Sequence, residues 1–310
     1  MQYLGIIDIG SNSVRLAIYG LHEDGTYREV KRVKEDSRLS EGMGREKILQ
    51  PTAIARTIAA LRSFQKVYQN YQHITMMGIA TAAVRQAKNQ AAFLDRVNRA
   101  IGITIQVLTG TEEAHFDYLG TVNELKVSDY LLLDTGGASC ELVYVSNRNS
   151  RAEISVPFGA VSLSERFNLQ NRVRAADLFS AQQYVWDQLA AIPWLGKCQT
   201  LPLVLLGGAN RSLARMNKKH QRNRHIDDIH GYQLTRTDVF KAFEKLLRAD
   251  LKQRKQISGL EPDRADIMVG GMLPLIQLLD RLGSDQVLFS ESGVREGIIF
   301  DYIEKHIQQK

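Results

Sequence analysis

The apolar and polar positions of the chain form two series that match at a constant separation. Residues 4 to 21, LGIIDIGSNSVRLAIYGL, and residues 130 to 147, YLLLDTGGASCELVYVSN, each run from an apolar stretch through a Gly/Ser-rich turn into a second β-forming stretch. Asp8 falls on Asp134, Gly10 on Gly136, Ser13 on Ser139 and Leu16 on Leu142. Both segments predict β-hairpins. After the first come a third strand near 26–33, a helix over 52–70 with Ile54, Ile58, Leu61, Phe64 and Val67 at helical spacing behind Pro51, and a strand near 74–79. A helix over 90–101 stops at Gly102, and Ile103, Ile105 and Val107 alternate as a strand.

The second series predicts strands near 130–135, 140–146 and 151–157, a helix over 175–191 ended by Pro193, and a strand from Leu203 to Leu206. A helix from Thr237, a strand from Ile267 to Val269, a helix ending at Gly283, a strand from Val287 to Phe289 and a last helix from about Val294 complete it. A meander followed by βα units, given twice, predicts two similar α/β domains facing a central cleft, with each glycine-rich turn directed into it. The expected division is 1–124 and 125–297, with the C-terminal helix at about 298–310 packing back on the first domain. No Pro/Gly/Ser linker marks it; the connection is the short polar stretch from Gly120 to Ser128.

Composition narrows the picture. The 310 residues, 44% of them hydrophobic and six of them proline, suit two packed domains without a disordered tract. No apolar run approaches the roughly 18 to 20 residues of a membrane span, and the start of the chain carries no basic leader, so a cytoplasmic protein without a membrane partner is expected. Cys140 and Cys198 form no CxxC pair and the seven histidines no compact zinc spacing, which sets aside structural zinc and a disulfide framework. The formal charge of +6 favours a polyanionic partner, yet no helix-turn-helix, RNP or zinc-finger pattern points to nucleic acid. Arg211, Arg215, Lys218, Lys219, Arg222 and Arg224 lie in a stretch free of acids, either a track for a phosphate chain or a solvated helix end.

The two turns, Gly10-Ser11-Asn12-Ser13 and Gly136-Gly137-Ala138-Ser139, bring small residues whose N–H groups approach an anion closely. Each follows a strand carboxylate, Asp8 or Asp134. With Glu141, these acids suit a Mg²⁺ ion, or another divalent cation such as Mn²⁺, beside bound phosphates. Arg15 occupies the repeat position of Glu141, and Thr81 and Arg85 follow a strand end. Glu112 and Glu113 open a helix after the 103–109 strand, either as complements of its dipole or as a carboxylate offered to the cleft. Gly207-Gly208 and Gly270-Gly271 each follow an apolar run and read as ligand-facing strand ends or as close helix–sheet packing.

Together these residues resemble the exopolyphosphatase and guanosine pentaphosphate phosphohydrolase (Ppx/GppA) family, of the actin, Hsp70 and sugar-kinase (ASKHA) superfamily. The resemblance rests on DIGSNSVRL at 8–16, ATAAVRQAKN at 80–89, GTEEAHFDYLG at 110–120, LLDTGGASCELV at 132–143, PFGAVSLSERF at 157–167, LLGGANRSLARM at 205–216, HGYQLTR at 230–236 and SESGVREGIIFDYI at 290–303. It implies ribonuclease-H-like domains of βββαβαβα order and phosphate loops at Gly10–Ser13 and Gly136–Ser139, with Thr81, Gly207 and Gly208 also at the phosphates. It also implies a divalent ion held by Asp134 and Glu141 with Asp8 close by, Glu113 as a solvent-reachable catalytic base, and Arg15 and Arg85 as phosphate-binding arginines. Ala138 and Ala82 stand where many members have glycine and serine. The implied activity is release of terminal phosphate from inorganic polyphosphate or guanosine pentaphosphate, in a homodimer. A kinase of the same superfamily and a non-catalytic polyphosphate or alarmone sensor are the alternatives; turnover without an acceptor separates the first, and single-turnover hydrolysis the second.

Overall fold

In the computed structural model, which describes residues 2–44 and 46–307, the chain divides into two compact units. One comprises the described residues up to Glu113 with those from Ile298 onward, and the other Ala114–Gly297.

The first unit holds β1 (Gln2–Ile9), β2 (Val14–Leu21), β3 (Tyr27–Glu35), α1 (Pro51–Tyr68), β4 (Ile74–Ala80), the single turn α2 (Ala82–Arg85), α3 (Gln90–Ile101) and β5 (Ile105–Val107). Its sheet runs β3-β2-β1-β4-β5, antiparallel through the meander and parallel from β1 to β5. Pro51 opens α1, where the missing N–H costs nothing, and Gly102 closes α3 in the left-handed region. The helices bury Leu61, Phe64, Phe93 and Val97 against Ile7, Ile9 and Leu16, one face of the sheet. Helix α4 (Gly110–Glu124) follows β5 and carries the chain across the division.

The second unit contains β6 (Tyr130–Thr135), β7 (Cys140–Ser146), β8 (Asn149–Val156), α5 (Ala160–Arg166), α6 (Ala175–Ala190), β9 (Leu203–Leu206), α7 (Gly208–His220) and β10 (Gln233–Thr235). There follow α8 (Arg236–Arg248), α9 (Leu251–Arg254), α10 (Met268–Leu282), β11 (Gln286–Phe289) and α11 (Val294–His306), whose later turns belong to the first unit. The sheet order is β10-β11-β9-β6-β7-β8. Its central strands are apolar on both faces: Leu131, Leu133 and Leu205 enter a core with Met272 and Leu275 of α10, while Leu132, Val143 and Val204 meet Ala114 and Leu125.

The repeat extends to details of register. Asp8 pairs with Arg15 and Ile9 with Val14; Asp134 pairs with Glu141 and Thr135 with Cys140. Each turn closes with the same backbone bond, Gly10 N–H to Ser13 O at 3.1 Å and Gly136 N–H to Ser139 O at 3.0 Å. Even the irregularity between second and third strands recurs, at Ile18/Tyr19 and at Tyr144/Val145.

One expected element is corrected. Ile267–Val269 is not a strand; Met268 begins α10, which is buried on almost every side, so its first residues carry no amphipathic period. The Gly270-Gly271 pair is accordingly a packing device rather than a strand end. A Cβ on Gly270 would lie 2.4 Å from Ser164 Oγ of α5, and one on Gly271 2.6 Å from Ala209 Cβ of α7. Among the described residues no helix is long and apolar enough to cross a membrane.

Candidate active site

In the first unit the Gly10–Ser13 turn is strapped from outside. Ser40 N–H donates to Ser11 O at 2.9 Å and Arg38 N–H to Asn12 O at 2.8 Å, so the turn's carbonyls are engaged by the segment that leaves β3. Ser11 and Ser13 are buried, and Arg15 Nη1 lies 3.6 Å from Asp8 Oδ2 across the strand pair. Thr81, also buried, donates its N–H to Ile9 O at 3.3 Å, and its own carbonyl accepts the Arg85 N–H at 2.9 Å. These bonds tie α2 to the end of β1.

Arg85 also fixes the carboxylate expected to act as base. Its Nη1 donates to Glu113 Oε2 and to Leu108 O, both at 2.8 Å. Glu113 is only 7% exposed, so the expectation of a solvent-reachable base is corrected: its position at the start of α4 faces it inward, onto Arg85. Glu112 points elsewhere. Its Oε2 accepts the Thr109 N–H at 2.7 Å while Thr109 Oγ1 accepts the Glu112 N–H at 3.1 Å, a capping box that lowers the Glu112 pKa, chiefly through the backbone bond. The dipole-complement reading of the adjacent acids thus applies to Glu112.

In the second unit the carbonyls of the Gly136–Ser139 turn are engaged by the N-terminus of α5, with Ala160 N–H on Gly136 O and Val161 N–H on Gly137 O, both at 2.9 Å. Asp134 and Glu141 stand opposite one another, and Ser155, on the same rung of β8, donates its hydroxyl to Glu141 Oε1 at 2.7 Å. Asp117 of α4 joins them: one carboxylate oxygen from each of Asp117, Asp134 and Glu141 lies within 4.8 Å of the others. Gly207 closes against this group with φ +92°. A Cβ there would meet Asp134 Oδ1 and Thr135 O at 2.5 Å, so its place at the carboxylate is steric. Gly208 opens α7, and a side chain on it would collide with the Arg264 guanidinium.

Three hard oxygen donors, Asp117 and Glu141 fully buried, in a cradle that excludes a methyl group suit a divalent cation of the Mg²⁺ type. In the first unit the Asp8 carboxylate faces Arg15. Asp117 went unnoticed in the sequence, where its one signal is the spacing of four residues from Glu113, one turn along the same helix.

The basic stretch divides in two. Lys218 is buried, its ammonium donating to the carbonyls of His225 and Asp228 and lying 4.8 Å from the Tyr232 ring, while Arg215 pairs with Asp227 at 2.8 Å and Glu261 at 3.2 Å. Lys219, Arg222 and Arg224 are exposed.

A duplicated ribonuclease-H-like α/β fold, with a cation-bearing rung in one hairpin and a carboxylate rung in the other, defines the class. Within it the chain belongs to the Ppx/GppA phosphatase family, whose model matches residues 21–306. It is 28% identical over 311 residues to exopolyphosphatase 2 of Mycobacterium tuberculosis, covering 94% of this chain and 96% of that protein. It is 26% identical over 300 residues to a guanosine-5'-triphosphate,3'-diphosphate pyrophosphatase of Vibrio campbellii, covering 96% of this chain but 59% of the longer relative. The crystal structure of an exopolyphosphatase from Cytophaga hutchinsonii shares the fold with a TM-score of 0.91 at 22% identity, covering 98% of both chains.

Proposed function

We propose that the protein hydrolyses the terminal phosphoanhydride bond of inorganic polyphosphate or guanosine pentaphosphate and releases inorganic phosphate. The observation that carries this reading is the charge inversion between matching rungs: Arg15 stands opposite Asp8 in one hairpin, and Glu141 opposite Asp134 in the other, each beside a Gly-initiated turn. An anion and its counter-cation are thereby provided for by the same structural device. The relatives named for polyphosphate and guanosine pentaphosphate chemistry support the substrate class.

Glu113 is the base: it accepts the proton of the attacking water while the bond from Arg85 holds its carboxylate in one orientation. Arg15 and Arg85 place positive charge at the transferring phosphoryl group, the arrangement that contributes about 10³ to 10⁵ in related phosphoryl transfers. Turn N–H groups of Gly10–Ser13 and Gly136–Ser139, with Thr81, take up phosphate oxygens. Asp134 and Glu141 hold the divalent cation, with Asp117 beside them, and the Ser155 hydroxyl fixes the Glu141 carboxylate. When bound, that cation, Mg²⁺ or Mn²⁺, offsets charge on the phosphate oxygens as a Lewis acid.

The test is a phosphate-release panel with defined polyphosphates, guanosine pentaphosphate and ATP, each with and without Mg²⁺ and without an acceptor. Release from the first two substrates alone is expected. Transfer that requires an acceptor would instead make the protein a kinase.

A further inference from the structure

The rung comparison reaches one strand further. In the first unit Asp8, Arg15 and Lys34 stand in register across β1, β2 and β3; in the second, Asp134, Glu141 and Ser155 do so across β6, β7 and β8. In-register neighbours share a sheet face, with Cβ atoms about 4.5 to 5.5 Å apart, and like charges directly opposite destabilise a strand pair. Arg15 and Lys34 are such a pair. Asp8 lies 3.6 Å from Arg15, and Asp36, just past the end of β3, has Oδ1 2.9 Å from Lys34 Nζ. The two cations are neighbours on one face of the sheet. A phosphate carries oxygens enough to engage both a guanidinium and an ammonium.

Position supports the same conclusion. Lys34 is the penultimate residue of β3, and the chain that follows it bonds directly to the phosphate turn through Arg38 N–H on Asn12 O and Ser40 N–H on Ser11 O. Lys34 is thereby held at the end of the sheet where that turn lies. Lys31, on the same strand and also exposed, pairs with Ile18 on the opposite face. Lys31 and Lys34, three residues apart in one strand, therefore lie on opposite faces of the sheet.

We propose that Lys34 is a phosphate-binding residue that seats one substrate phosphate together with Arg15. The inference rests on the hydrolase reading above and deepens it, by assigning to this rung the anion that the matching rung of the other unit cannot take.

The experiment measures binding of inorganic tripolyphosphate to the full chain by titration calorimetry in EDTA, for wild type, Lys34→Gln and Lys31→Gln, with thermal unfolding of each protein recorded alongside. Both lysines are exposed, so unfolding temperatures should coincide. Lys34→Gln should weaken binding about tenfold, the loss of one charge-assisted contact, and Lys31→Gln should leave it within twofold. Equal losses in the two variants would reduce the effect to net charge and overturn the proposal. So would a Lys34→Gln protein that binds like wild type while wild type remains active in phosphate release, and this outcome would leave the hydrolase reading standing. A wild type that releases no phosphate from any polyphosphate or from guanosine pentaphosphate overturns both.

Discussion

Arg85 donates a hydrogen bond of 2.8 Å to Glu113, joining the turn that follows β4 to the first turn of α4. Thr109 meanwhile holds the neighbouring Glu112 in a capping box. Two consecutive glutamates are thus given different work by their positions on one helical turn.

Glu113→Gln should lower kcat by about 10² or more with little change in substrate affinity, since the amide keeps size and polarity but accepts no proton. Glu112→Gln should remain within severalfold of wild type. Steady-state kinetics of both variants decide the assignment, which fails if their effects are reversed.

Glu112→Ala removes the carboxylate that accepts the Thr109 N–H and should cost about 1 kcal/mol in denaturant unfolding at neutral pH. The Glu112 carboxyl titrates below its ordinary 4.5 in the folded protein, so its contribution is full above that value and is lost as pH falls through the lowered one. The stability gap between wild type and variant should therefore shrink in acid. A gap that widens below pH 4.5 would contradict the bond from Thr109 to the ionised carboxylate.

Asp134→Asn and Glu141→Gln should each raise the Mg²⁺ concentration for half-maximal activity, and Ser155→Ala should do so by about tenfold, because it removes only the hydroxyl that orients Glu141. Calorimetric titration with Mn²⁺ provides a readout free of turnover. Unchanged Mn²⁺ affinity in Asp134→Asn would remove the carboxylate group from metal binding.

Lys218→Ala should lower stability by about 1 to 3 kcal/mol, because the ammonium is buried against two loop carbonyls that lose their partner with it. Lys219→Ala, at an exposed neighbour, should be neutral. Equal and negligible effects in urea unfolding would contradict the buried contact.

The two hairpins were legible in the sequence because a small-residue turn after a strand acid is a local pattern, and its recurrence aligned Asp8 with Asp134 and Arg15 with Glu141. Fully buried segments were not. Helix α10 is apolar all round and shows no period, so Ile267–Val269 read as a strand; the three-residue β10 and the seven-residue α5 were too short to stand out. In the site, Glu113 was recognisable from its motif, but its burial depends on Arg85, 28 residues away. Asp117 and Lys34 carried no local mark, since what matters in each is the partner that folding places beside it.

The most direct measurement is hydrolysis of inorganic tripolyphosphate in oxygen-18 water, with mass analysis of both products and no acceptor present. Water attack on the terminal phosphorus predicts one labelled oxygen in the released phosphate and none in the pyrophosphate, with the signal lost in Glu113→Gln. Label appearing in the pyrophosphate, or no release until an acceptor is supplied, would contradict terminal hydrolysis by this protein.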